Sequence, residues 1–408
     1  MKKKAILSAL LVGVMTLGLA ACSSSSSSSA APETKAPETK APETEAVETE
    51  APETESSGSE ETASGLKICI VSSSGIDDGS FNENIYDGIV AFVADHPDCT
   101  VTDVKEPDLS KLIGVVEGLV GEYDVFVCPG YNFAAVGEVA KANPDKYFLV
   151  VDSTVTDAEG NALAAAELGN VYTMTFQEEQ SGFFAGLAAA LTTETGKVAV
   201  VNGIAFPSNV NYQYGFMSGV NYANAKYGTT AEIVELPSYS GTDVTGANVG
   251  GNYVGAFDDI DGGKTIGKTL IEQENVDIIF VAAGASGNGV FAAVKENGSG
   301  YCIGCDTDQY DDGANGDKNI ILTCGLKIMD INVTRQLNAI YDGTFAAEDA
   351  ILGADTGSTG YVSAEGRQQL SEDALAKLAE TYKLLEDGTI VPAANFNGYT
   401  PTDFPGLN

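Results

Sequence analysis

From Leu66 onward the chain repeats one pattern: a short apolar run, a turn rich in Gly, Ser or Asp, then a longer segment with apolar residues every third or fourth position. The apolar runs are "KICIV" (67–71), "YDVFVC" (123–128), "YFLVVD" (147–152), "VYTMTF" (171–176), "KVAVVN" (197–202), "AEIVEL" (231–236), "DIIFVAAG" (277–284), "YCIGCD" (301–306) and "IILTCG" (320–325). Short runs bounded by turn residues predict strands. The periodic segments predict helices over 81–94, 109–121, 134–143, 177–192, 212–227, 260–273, 289–296, 329–342 and 372–385. The strands are continuously apolar and do not alternate, so both their faces are covered, as in parallel sheets flanked by helices. Near Thr175 a polar "QEEQ" hands over to a helix rich in Gly and Ala, which predicts a connection between two lobes.

Ligands of parallel α/β sheets bind beyond the carboxyl ends of the strands. The junction "VSSSGIDDGSFNENIYDGI" (71–89) lies at such an end and carries an aromatic, Phe81, where the helix starts. Asp306 ends the strand "YCIGCD", and a carboxylate there suits a ligand with paired hydroxyls, because it can accept two O–H bonds. "GASGNGV", opening at Gly284, follows a strand and begins a helix. Its N–H groups could meet a polar ligand, and a plain tight turn explains it equally well.

The ends of the chain behave differently. "MKKK" followed by a short apolar stretch predicts a signal peptide over residues 1–21, too short and wrongly flanked for a spanning helix. It ends in "LAAC", the pattern of a lipoprotein signal, with Cys22 as the lipid attachment point. An ordinary secretory cleavage site is the alternative. Residues 22–65, a serine tract and then "APETK" and "APETE" repeats, predict a disordered linker that holds a domain away from a membrane.

The formal net charge of −37 argues against nucleic acid as a partner, since phosphate binding needs a basic surface. Cys69, Cys128 and Cys324 lie in or beside apolar strands, where cysteine acts as a small hydrophobe. "CIGC" (302–305) has redox spacing but lacks a helix N-terminus. The acidic run 306–317 lacks EF-hand spacing, and the single histidine, His96, leaves zinc sites and His-based catalysis without parts. There is no Walker loop and no GxSxG elbow. These gaps argue against an enzyme, and no metal or cofactor is expected.

Taken in order, "GIDDGSFNENIYDG", "FQEEQSGFFAGLAAALTTETGKVAVVNG", "YGFMSGVNYAN", "IGCDTDQ" and "ILTCGLKIMDINV" resemble the basic membrane protein/PnrA-like family of substrate-binding lipoproteins. The last segment is similar to that family's "VLTSMLKRVDVAV". The resemblance implies a type I periplasmic-binding-protein fold, with lobe 1 formed by 66–174 and 322–350 and lobe 2 by 175–321 and 351–408. It further implies a lipid-anchored, extracytoplasmic protein that serves the permease and ATPase of an ABC importer. The implied ligand is a small molecule, usually a purine nucleoside. Phe81 would stack on one face of the base and Tyr212 on the other. Asp306 would take ribose hydroxyls, helped by the loop at Gly284, and Lys327 would reach in from the opposite lobe. Asn82 adds a polar contact, and Asp77 belongs to the same loop. The family's base-reading aspartate falls at Ser72, and Tyr131 or Asn132 stands where relatives place an acid, so the base stays open. Another small ligand, such as a modified nucleoside or a sugar, and a sensor role toward a membrane partner are the alternatives.

Overall fold

A computed structural model describes residues 65–408. The signal segment, Cys22 and the linker up to residue 64 lie outside the described residues. Among the described residues no helix is long and apolar enough to cross a membrane.

Two six-stranded sheets organise the chain. The first runs, edge to edge, Glu348–Leu352, Val171–Phe176, Tyr147–Val151, Val125–Pro129, Lys67–Ser72 and Thr100–Lys105, and every pair in it is parallel. The second runs Thr359–Tyr361, Ile321–Lys327, Tyr301–Asp306, Ile278–Ala282, Lys197–Asn202 and Glu232–Ile233. It is parallel except at Thr359–Tyr361, which pairs antiparallel with Ile321–Lys327. The apolar central strands are buried because helices cover both faces, giving each sheet a large apolar cluster on either side.

Three strands of these two sheets depart from the pattern reading, all at sheet edges. Thr100–Lys105 contains no fully buried residue, so it lacks an apolar run. Glu348–Leu352 buries only Ala350 and Leu352, and Thr359–Tyr361 has three residues. An edge strand has one neighbour and less to cover, so its sequence need not be apolar. The helix expected from Tyr212 instead begins at Pro207, with the proline in its first turn. Proline suits that place because the N–H it lacks would have no helical partner.

The division between lobes also differs from the sequence-based one. Residues 322–350 were assigned to lobe 1, but the strand Ile321–Lys327 pairs with Tyr301–Asp306 in the second sheet. The chain returns to the first lobe only after Lys327, where helix Met329–Tyr341 packs on helix Phe81–Asp95. It leaves again after Leu352, the end of the first sheet's edge strand. With the earlier passage after Phe176, the lobes are joined three times.

Helix Glu178–Thr192 carries glycines against helix Pro207–Tyr227, and the two run in direct backbone contact. A Cβ on Gly219 would lie 2.1 Å from the Phe183 carbonyl oxygen, and one on Gly215 would lie 2.1 Å from that of Glu179. Only glycine permits this approach.

Candidate ligand-binding site

The carboxyl ends of both sheets meet at a cleft of about 670 Å³, including the part open to solvent. The first lobe contributes Phe81, Tyr131 and Asp152 to its lining, and the second contributes Phe206, Tyr212 and Asp306, with Lys327 at the end of its own strand. The lobes touch across the mouth. The Ser80 hydroxyl donates to Asp306 Oδ2 at 3.0 Å, and Gln309 Nε2 donates to the Gly79 carbonyl at 2.9 Å.

The loop "SSSGIDDGSF" is held by Asp78. Its Oδ1 accepts from the backbone N–H groups of Ser80 and Glu83, and its Oδ2 from the N–H and side-chain amide of Asn82. A buried carboxylate at the start of helix Phe81–Asp95 satisfies N–H groups that have no helical partner. It also fixes where Phe81 emerges. Burial raises the Asp78 carboxyl, and these N–H groups pull it back down.

Lys327 is the electrostatic centre. It is 2 % exposed, its Nζ lies 2.5 Å from Asp152 Oδ2, 3.7 Å from Asp306 Oδ1 and 3.8 Å from Glu178 Oε1. Burial alone would lower an ammonium, but Asp152, Asp306 and Glu178 outweigh it and hold Lys327 above the ordinary lysine range. Glu178 is itself pushed well above the usual carboxylate range, first by burial and then by Asp152. Burial raises Asp152 too, with Lys327 opposing the rise. The Lys327 Nζ lies 4.7 Å from the centre of the Phe81 ring and 5.4 Å from that of Tyr212.

Asp152 and Asp306 occupy matching places, one at the end of a strand in each sheet. Both have left-handed backbone, φ 58° and 70°. Non-glycine residues seldom adopt this conformation, and strain of this kind gathers at ligand sites. Asp306 Oδ1 also accepts from the Tyr212 hydroxyl at 2.7 Å.

The residues expected from the sequence fall into two groups. Phe81, Asn82, Tyr131, Asn132, Tyr212, Gly284, Asp306 and Lys327 all line the cleft. Gly284 does so with φ 53° at the N-terminus of helix Ala285–Asn297, where a Cβ would press toward Phe257. Tyr212 differs in orientation from the expected stacking. Its ring packs edge-on against Phe280 in the core, its hydroxyl is bonded to Asp306, and the Lys327 ammonium lies near both it and Phe81.

Ser72 and Asp77 do not line the cleft. Ser72 is buried, and its hydroxyl accepts from the Gly75 N–H at 3.2 Å, which tightens the turn. Asp77 is exposed to solvent, and its neighbour Asp78 is the aspartate that faces inward.

Among the lining residues that were not anticipated are Asp78, Asp152, Phe206 and Phe257. Asp152 was legible, since it ends "YFLVVD" as Asp306 ends "YCIGCD". The Phe206 ring lies 5.6 Å from that of Tyr131 and 6.0 Å from that of Phe257, an aromatic wall drawn from both lobes. Nothing in "IAFPSN" distinguishes Phe206 from a core residue.

Cys305 reaches the cleft lining, its thiol beside Asp306. Cys302 and Cys305 are buried free thiols, and burial pushes both far up, Cys305 further beside Asp306. Neither is a thiolate at neutral pH, which a redox or metal role would need. In the acidic run, Asp308 and Asp311 are bound by Arg367.

Two parallel α/β lobes, joined by three crossings and closed over a polar and aromatic cleft, define a type I periplasmic-binding-protein fold. The chain belongs to the Bmp family, the ABC transporter substrate-binding proteins that are PnrA-like, which it matches over residues 66–236 and 245–394. It is therefore a substrate-binding protein of an ABC transporter system, and it binds its small ligand without transforming it. It is 28 % identical over 341 residues to the CD4+ T-cell-stimulating antigen of Listeria monocytogenes, covering 79 % of this chain and 86 % of the relative. With basic membrane protein A of Borreliella burgdorferi it shares 29 % identity over 246 residues, 60 % of this chain and 64 % of that one. Among solved structures, a solute-binding protein of an ABC transporter system from Aeropyrum pernix superposes with a TM-score of 0.68 at 21 % identity, covering 82 % of this chain and 94 % of the other. A carbohydrate solute-binding protein from Agrobacterium radiobacter in complex with D-arabinose superposes with a TM-score of 0.51 at 16 % identity, covering 78 % of this chain and 99 % of that one.

Proposed function

We propose that this protein captures a nucleoside, most simply a purine nucleoside, between its lobes and delivers it to the permease of an ABC importer. The observation that carries the reading is the composition of one cleft: an aromatic ring from each lobe, Phe81 and Phe206, together with the carboxylate Asp306. A flat heterocycle gains from aromatic faces on either side, and a vicinal diol gains from an ionised acceptor. Phe206 takes the stacking role that the family resemblance assigned to Tyr212. The cleft lining holds three carboxylates and one ammonium, which disfavours phosphorylated and carboxylated ligands.

The N-terminal "LAAC" supports lipid attachment at Cys22 and an extracytoplasmic location on the cell membrane, with the linker as tether. Mass spectrometry of the mature N-terminal peptide tests that part, and an unmodified Cys22 defeats it.

The nucleoside reading is tested by thermal melting of the protein against purine and pyrimidine nucleosides. A ligand that binds only the folded state raises the melting temperature in proportion to the logarithm of its concentration. No shift with any nucleoside at millimolar concentration removes the reading. A free sugar is the second reading, favoured by the two strand-end carboxylates Asp152 and Asp306. It predicts a shift with pentoses or hexoses and none with nucleobases.

A further inference from the structure

Two of the side chains that join the lobes at the mouth, Ser80 and Gln309, are absent from the cleft lining. Ser80 stands at the N-cap of helix Phe81–Asp95, where a serine ordinarily accepts from an N–H of the helix's first turn. It makes no such bond, because Asp78 already holds the N–H groups of Asn82 and Glu83. The Ser80 hydroxyl instead crosses to the second lobe, where it donates to Asp306 Oδ2 at 3.0 Å and lies 3.3 Å from the Cys305 carbonyl oxygen. Gln309 is buried and meets the same turn from the other side. Its Oε1 accepts from the Cys305 N–H and its Nε2 donates to the Gly79 carbonyl, both at 2.9 Å. One end of the amide is fixed in the second lobe and the other reaches the first. A Cβ on Gly304 would lie 2.8 Å from Gln309 Oε1, so glycine there leaves room for the amide to fold back on its strand.

We propose that Ser80 and Gln309 form a latch: they are positioning residues that hold the lobes shut over the ligand and set how long it stays, without reading its structure.

Each bond exists only where the lobes meet, so it stabilises the closed arrangement and adds nothing to an open one. A ligand gripped by both lobes binds the closed arrangement, and its apparent affinity scales with the fraction of molecules that are closed. Because neither side chain lines the cleft, that factor is the same for every ligand the cleft accepts. Bonds that form after the ligand has entered oppose its departure and leave its arrival unchanged, so their effect falls on the dissociation rate. Gln309 is the cleaner member of the pair, since both groups it joins belong to the backbone. The Ser80 position carries the second sign of the role: a residue type suited to capping has given up the cap to its neighbour and spends its hydroxyl on the other lobe. The latch does not depend on the nucleoside reading, because it acts on the lobes and not on the ligand.

Hydrogen exchange and calorimetry of the full-length protein test it. Gln309→Glu keeps an acceptor for the Cys305 N–H and, at pH 8, has no donor for Gly79. Ser80→Ala loses the hydroxyl while Asp78 still caps the helix. In protein without added ligand, Gln309→Glu should speed exchange in the first-lobe loop 73–82, and Ser80→Ala should speed it in the second-lobe segment 305–309. Ser80→Thr, which keeps a hydroxyl, should exchange like the wild type. With inosine, adenosine and cytidine as probes, Gln309→Glu should raise every measurable dissociation constant by one common factor, roughly three- to tenfold for a neutral hydrogen bond. Stopped-flow tyrosine fluorescence should place that factor in the dissociation rate. A variant that alters exchange only within its own lobe overturns the latch, and so does unchanged affinity or a reordering of the probes. Should no probe bind the wild type, the nucleoside reading fails alone, and the exchange comparison between lobes still decides the latch.

Discussion

Glu179, in the first turn of helix Glu178–Thr192, offers the sharpest test of how this fold is held. It sits just past the first passage between lobes, 7 % exposed, with its backbone pressed against Gly215 of the neighbouring helix. Burial raises its carboxyl from 4.5 to about 7. Between those two values the folded protein keeps a proton that the unfolded chain has lost. Stability therefore falls as pH rises through this window and levels off above it. Each pH unit of such a window is worth about 1.4 kcal/mol, so the full penalty at pH 8 comes to about 3 kcal/mol. Glu179→Gln keeps the shape of the protonated acid and carries no charge. It should match the wild type at pH 4 and exceed it above pH 7. A folded unit of this size has an unfolding entropy of about 0.7 kcal/mol per kelvin, so the gain corresponds to about 4 °C in melting temperature. Asp78, Asp152 and Glu178 are raised as well, so both proteins lose stability as pH rises. The difference between their melting curves from pH 4 to 9 reports Glu179 together with the repulsion it exerts on Glu178. A difference that is flat across that range, or a variant less stable at pH 8, would refute the burial argument.

The remaining predictions concern packing and the cleft. Gly219→Ala places a methyl group against the Phe183 carbonyl oxygen and should lower the urea midpoint by an amount equivalent to about 2–3 kcal/mol; an unchanged midpoint would mean the helices can separate freely. Phe81→Ala should weaken nucleoside binding by about 1–3 kcal/mol, through lost stacking and burial, with little change in melting temperature. Normal affinity, or a chain that fails to fold, would return Phe81 to a core role. Asp306→Asn should reduce nucleoside affinity by about 2 kcal/mol and barely alter that of the free base, measured by calorimetry; equal losses would detach Asp306 from the sugar.

Much of this molecule is determined within short windows of sequence. Runs such as "VFVC" and "FLVV" are apolar on both faces, and in water they can only be covered from both sides, which demands a parallel sheet between helices. The glycines of "SGFFAGLAAAL" and "YGFMSGV" likewise declare close helix packing before any partner is known. Phe81, Asp306 and Gly284 could be picked out because each ends a strand or opens a helix, where α/β sheets present their ligands. Tertiary structure decided the rest. "IILTCG" is as apolar as any strand of either lobe, and only its pairing with Tyr301–Asp306 puts it in the second sheet. Ser72, Asp77 and Asp78 are near neighbours in sequence, yet only Asp78 faces the cleft, because the turn at Gly75 and the cap on Asn82 and Glu83 set which way each side chain leaves the loop. Phe206 and Tyr212 are both aromatic, and the start of the helix at Pro207 sends the first into the aromatic wall and the ring of the second into the core. The Lys327 cluster draws on segments as distant as Asp152 and Asp306, and no local pattern encodes a charge balance closed over such separations. Periodicity is a property of neighbours along the chain, whereas a binding cleft is a property of neighbours in space, made only when the lobes fold and meet.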